Sequence, residues 1–185
     1  MPLAILFSKR LRPAPNLLFS GGRMKRKATG PKASTKSPAA KTQIAVLPWR
    51  LSGAGAEQVL LITSRETRRW VIPKGWRMRD LADNMAAAQE AFEEAGVEGY
   101  TGMSPIGAYS YDKRLNDGTL QPIHVIVYPL QVSVELDAWP EQLQRERMWV
   151  SPRVAADLVD EPELSKLLAD FAPYGFRQGI AAKPD

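Results

Sequence analysis

The chain of 185 residues has no cysteine, so disulfides and thiolate chemistry are excluded. It has one histidine, His124, within an apolar stretch and with no serine or cysteine motif beside it. Such a histidine reads as structural rather than catalytic. No apolar run approaches the roughly 18 residues that cross a bilayer. Residues 1–41 lack any acid. The absence of cysteine fits a reducing compartment, and the expected location is cytoplasmic.

The charge is unevenly distributed. Of the 25 Lys and Arg, ten lie in residues 1–41, while all 20 Asp and Glu lie beyond, so the remainder carries 15 cations against 20 anions. The formal net charge of +5 therefore belongs to a tail, and the part with apolar patterning is mildly acidic. Residues 1–42 lack a sustained period and are rich in Pro, Ser, Ala, Gly and Lys, so a basic, largely disordered tail is expected. An acid-free, arginine-containing start also resembles an organelle transit peptide, and Met24 is an alternative start. Nucleic acid is expected to touch this tail weakly at most, because no aromatic residue is interleaved among its lysines from Lys25 to Lys41 for base stacking. Residues 173–185 read as a second tail, and nothing in the sequence signals an oligomeric state.

Between the tails, residues 43–172 read as one domain. Gln43 to Trp49 and Gln58 to Ser64 read as strands around the turn Gly53-Ala-Gly55. Arg69 to Pro73 is a short strand entering a loop at Gly75. Residues 83–95 read as a helix with Asp83 as N-cap, Gly96 as stop, and Met85, Ala88, Phe92 and Ala95 as the packed stripe. Strands over Ser104 to Lys113 and Ile123 to Val132 flank the hairpin signal Asn116-Asp117-Gly118. Asp137 to Gln144 reads as loop, Arg147 to Val150 as strand. Helices follow from Ser151-Pro152 and from Pro162 to Phe171. Mostly strands with one long central helix and two late ones predict an α/β fold, a mixed sheet sandwiched by helices.

The most informative stretch is Glu90-Ala-Phe-Glu93-Glu94-Ala-Gly96-Val97. A helix turns about 100° per residue, so positions i, i+3 and i+4 share a face. Three carboxylates on one face repel unless solvated or bridged by a cation. Mg²⁺ is held by a few carboxylates plus substrate phosphates and water. A bound metal activates water and neutralises phosphate charge, and a further glutamate can act as general base. The Gly75 loop precedes this helix, and its backbone carbonyl could supply a further oxygen beside the three carboxylates.

Gly75, Glu90, Ala91, Glu93, Glu94, Gly96 and Val97 stand at the spacing of the Nudix hydrolase box, and Arg69-Trp-Val-Ile-Pro73-Lys74-Gly75-Trp76 resembles the strand that enters it. Arg145-Glu-Arg147-Met-Trp149 resembles a late strand of the diphosphoinositol polyphosphate phosphohydrolase branch, near the diadenosine polyphosphate hydrolases. The resemblance implies a Nudix-type α/β/α sandwich with a mixed sheet. It implies a small-molecule phosphoanhydride substrate, either a nucleoside diphosphate linked to another group or a diphosphoinositol polyphosphate. It implies Mg²⁺, or Mn²⁺, on Glu90, Glu93 and Glu94, with the Gly75 carbonyl as further ligand. One of these glutamates, or Glu141 or Glu146, would activate water. Lys74, Lys113, Arg114, Arg145 and Arg147 are the candidate substrate contacts. Leu81 and Gln89 replace the box's first glutamate and its arginine. A catalytically weak or inactive module that binds a nucleotide or polyphosphate is the rival expectation.

Overall fold

The computed structural model describes residues 39–173. Apart from their inner edges, the tails expected over 1–42 and 173–185 lie outside the described residues, as does Met24. The first strand, β1 (Lys41–Leu51), begins slightly before residue 43 and is followed by β2 (Glu57–Thr63), β3 (Trp70–Val71) and β4 (Lys74–Trp76). Next come α1 (Asp83–Glu90), a π-helical turn (Ala91–Ala95), β5 (Val97–Thr101), β6 (Gly107–Arg114) and β7 (Leu120–Glu135). The last elements are β8 (Arg147–Val150), α2 (Pro152–Leu158) and α3 (Pro162–Ala169).

The strands form one sheet in the order β3-β2-β1-β7-β5, with β4 also on β1, β6 on β7 and β8 on β2. The β1–β7 pair is parallel and the others are antiparallel, so the sheet is mixed as expected. One edge of β1 is shared by two partners. Trp49 to Leu51 pair with β2, whereas Gln43 to Ala45 pair with β4. This split edge sets Gly75 opposite Ile44 and Lys74 opposite Ala45.

Period-two alternation along β1 explains the layers. Ala45, Leu47 and Trp49 pack with Leu61, Val127, Ala155, Leu164 and Leu168 under α2 and α3. Ile44 and Val46 pack with Leu60, Ile62, Ala87, Ala91 and Leu130 under α1. Both faces of the sheet are therefore covered, which gives the α/β/α sandwich.

The central helix differs from expectation in three respects. Ala82 is its N-cap, and Asp83 is the first helical residue, ion-paired to Arg77 at 2.6 Å. The buried side is Ala86, Ala87, Ala91 and Ala95, while Met85 is half exposed and lines an outer groove with Ala88 and Phe92. Alanines let the helix backbone lie close on the sheet, and the bulkier side chains fall at the margin. The third difference is the π turn, in which the Gly96 amide reaches back to the Ala91 carbonyl. Gly96 itself sits at φ 64° and ends the helix, where a side-chain carbon would strike the Trp139 ring at 2.7 Å. Immediately after it, β5 forms a strand not expected from sequence, paired along the end of β7.

Candidate metal centre and substrate cleft

The π turn changes which glutamates share a face. At 100° per residue, Glu93 and Glu94 both lie within about 60° of Glu90. With i to i+5 bonding the turn widens to roughly 82° per residue, which keeps Glu94 near Glu90 and carries Glu93 more than about 100° away. The side chains follow this rotation. Glu90 and Glu94 line a cleft of about 460 Å³, together with Lys74, Gly75, Trp76, Tyr111, Lys113, Arg114, Glu141 and Arg145. Glu93 turns aside and accepts a hydrogen bond from Gln89 Nε2 at 2.7 Å.

Gly75 is required by the approach of Glu90. A side-chain carbon at Gly75 would lie 1.9 Å from Glu90 Oε1. Only a glycine lets that carboxylate sit against β4. Burial pushes the Glu90 carboxyl up to about 7, with repulsion from Glu94, Glu93 and Glu141 adding to it. Glu94 is buried, and burial raises its carboxyl too, opposed by Arg145 and by the Lys74 amide. That amide donates to Glu94 Oε2 at 3.0 Å, and Arg145 ion-pairs with Glu94 Oε1. Lys74 is half-buried beside Tyr111, and desolvation lowers its amine.

A divalent ion suits this edge on donor chemistry. Hard carboxylate oxygens and the backbone of a glycine fit Mg²⁺ or Mn²⁺. Burial first, and then repulsion from Glu94, Glu93 and Glu141, raises the Glu90 carboxyl, and a bound cation would relieve that repulsion. As the side chains stand, no three acids among the described residues are gathered as a preformed ion cage. The reason is visible in their bonds, since Glu93 has turned to Gln89 and Glu94 to Arg145 and the Lys74 amide.

The expected substrate contacts divide. Lys74, Lys113, Arg114 and Arg145 all line the cleft, and Arg65 and Arg69 join them without having been anticipated. Arg147 lies outside that lining. Its guanidinium donates to the carbonyls of Ala95 and Leu136 at 2.9 Å and lies 4.1 Å over the Trp139 ring. Arg147 thus closes the C-terminal end of the π turn, where free carbonyls attract a cation. The two late glutamates also part. Glu141 lines the cleft and accepts from Arg145 Nε at 2.6 Å, whereas Glu146 is exposed, pairs with Arg68 and is not part of the lining. His124 is exposed on β7, outside the cleft. Leu81 is 44% exposed in the loop before α1.

No protein-family model matches the chain. Among curated proteins it is similar to Nudix hydrolase 12, mitochondrial, of Arabidopsis thaliana, 32% identical over 117 residues, which span 62% of this chain and 58% of that protein. It is also similar to the diphosphoinositol polyphosphate phosphohydrolase 3-beta of Bos taurus, 32% identical over 96 residues, 50% of this chain and 54% of that one. The chain spans less than two thirds of the length of these relatives. In three dimensions it superposes on the C. elegans Ap4A hydrolase binary complex with a TM-score of 0.55 at 19% identity, covering 76% of this chain and 99% of that one. The resemblance to Nudix hydrolases thus holds in sequence, and the fold is the Nudix fold. Among the described residues no helix is long and apolar enough to cross a membrane.

Proposed function

We propose that the chain hydrolyses a phosphoanhydride with the help of Mg²⁺ or Mn²⁺, water attacking one phosphorus of the bridge. One observation carries this reading: Glu90, against the Gly75 backbone, and Glu94, on the Lys74 amide, share a cleft that six Lys and Arg side chains also line. Glu90, Glu93, Glu94 and the Gly75 carbonyl are the residues that would hold the ion. When bound, it would offset phosphate charge and lower the pKa of water. The chain's own groups do the rest. Lys74, Lys113 and Arg114 attract and orient the phosphates. Glu141, at the cleft, is the proposed general base, and Arg65 steadies it from 3.3 Å.

The polar lining and its cations favour a substrate dense in phosphate. A diphosphoinositol polyphosphate or a diadenosine polyphosphate fits this better than a nucleotide sugar. A small-molecule substrate in the cytoplasm, with no role for nucleic acid beyond weak contact through the basic tail, completes the proposal. The second reading, a weak or inactive binding module, draws on Gln89 and on the engagement of Glu94 by Arg145. A panel of diphosphates incubated with Mg²⁺ and resolved by chromatography separates the two. Release of phosphate or nucleotide supports hydrolysis. Micromolar binding of a panel member with no product supports the module.

A further inference from the structure

Arg145 is the one cation buried within the carboxylate cluster among the described residues, at 8% exposure. All three of its nitrogens are engaged. Nε donates to Glu141 at 2.6 Å, Nη1 to the Thr63 carbonyl at 3.0 Å, and Nη2 to Glu94 Oε1. The loop that carries it is tied to the same place by the backbone, since the Glu141 amide donates to the Glu93 carbonyl at 3.1 Å. Thr63 and residue 146 also exchange two hydrogen bonds, which anchor the loop to β2.

We infer that Arg145 is a positioning residue rather than a phosphate contact. It fixes Glu94, on the π turn, relative to Glu141, on the following loop, and supplies the cationic brace for the acidic edge. This inference rests on the metal-centre reading of that edge. A guanidinium is suited to the task because its planar fork bonds two carboxylates and a carbonyl together in a way a lysine cannot. Residue 89 contributes only a neutral bond, from Gln89 to Glu93. The charge therefore reaches the cluster from a loop 51 residues beyond Glu94 rather than from the helix itself.

Replacement by lysine keeps the charge and breaks the fork. Titration of Mn²⁺ into wild type and Arg145→Lys by calorimetry is expected to show affinity lower by about tenfold or more, as for other groups that orient metal ligands. With substrate, kcat falls and KM stays nearly constant. Gln89→Arg, which places a guanidinium within reach of the same cluster, recovers part of the Mn²⁺ affinity in Arg145→Lys and changes wild type much less. An unchanged Mn²⁺ affinity with KM alone raised overturns the inference, because that is the signature of a phosphate contact. Equal effects of Gln89→Arg in both backgrounds also overturn it, since they show no coupling.

A measurement on the unmutated chain covers the case in which Arg145→Lys does not fold. The ¹⁵N signal of Arg145 Nε–H is expected to move on adding Mg²⁺ and to stay in place on adding methylenediphosphonate without metal. The reverse pattern overturns the assignment. If the wild type binds Mn²⁺ yet cleaves no anhydride, the hydrolase reading falls, and the Mn²⁺ isotherms still decide the role of Arg145.

Discussion

Replacing Glu90 with glutamine is expected to stabilise the metal-free protein while removing a ligand of the metal centre. The Glu90 carboxyl is held at about 7 instead of 4.5 by burial and by three neighbouring acids. At about 1.36 kcal/mol per pH unit, that displacement corresponds to roughly 3.4 kcal/mol when the group is fully ionised. Glu90 is only partly buried, and solvent screening reduces the figure to about 1–2 kcal/mol. Because the folded-state value lies above the unfolded one, the folded chain binds this proton more tightly. The associated stability is fully present below about 4.5 and is lost as pH rises through about 7. No described residue donates a hydrogen bond to Glu90, so glutamine forfeits no bond there. Urea unfolding in EDTA at pH 8 should therefore show Glu90→Gln more stable than wild type by about 1–2 kcal/mol, with the gap narrowing towards pH 5. Added Mn²⁺ should reverse the order, since wild type gains binding free energy that the variant lacks. A variant less stable than wild type by the same amount at both pH values would show that the ionised Glu90 carboxylate carries no such penalty.

Three further outcomes follow from the same contacts. Gly75→Ala should fold with a loss under about 1 kcal/mol, because the displaced atoms are the far end of a flexible side chain, yet weaken Mn²⁺ binding at least several-fold; unaltered Mn²⁺ affinity by calorimetry counts against the Glu90–Gly75 cradle. Arg147→Met should lower stability by about 1–3 kcal/mol through the unpaired carbonyls of Ala95 and Leu136, with KM unchanged; a raised KM at intact stability would return Arg147 to the substrate. Gly96→Ala should cost about 1–3 kcal/mol, from a φ of 64° and from the collision with Trp139; a thermal midpoint within a degree of wild type would show that the helix end can shift.

Much of the fold was legible because β1, β2 and β7 are apolar enough to bury both faces, and Asn116-Asp117-Gly118 marks the hairpin between β6 and β7. Strand β5 was not, because three of its five residues are exposed and its chemistry is that of a loop; its register comes from the long partner β7. The packed face of α1 was misread by size. Met85 and Phe92 looked like the core, but the sheet accepts alanines, which allow closer approach. At the site, the pairing of Gly75 with Glu90 was visible in their spacing. The separation of Glu93 from Glu90 and Glu94 was not, because a π turn changes the angular step without a local residue signal. Nor was the Arg145–Glu94 contact, which joins distant segments and depends on how the loop after β7 folds back onto β2.

The Glu90 and Glu94 edge, with Gly75, is proposed to support metal-dependent attack of water on phosphorus. Its most direct test is turnover of the best panel substrate in ¹⁸O-labelled water, comparing wild type with Mg²⁺, wild type with EDTA, and Glu94→Gln with Mg²⁺. One ¹⁸O is expected in a phosphate product of the first reaction only, with rates at least about a hundredfold lower in the other two. Equal labelling and equal rates in Glu94→Gln or in EDTA would contradict it.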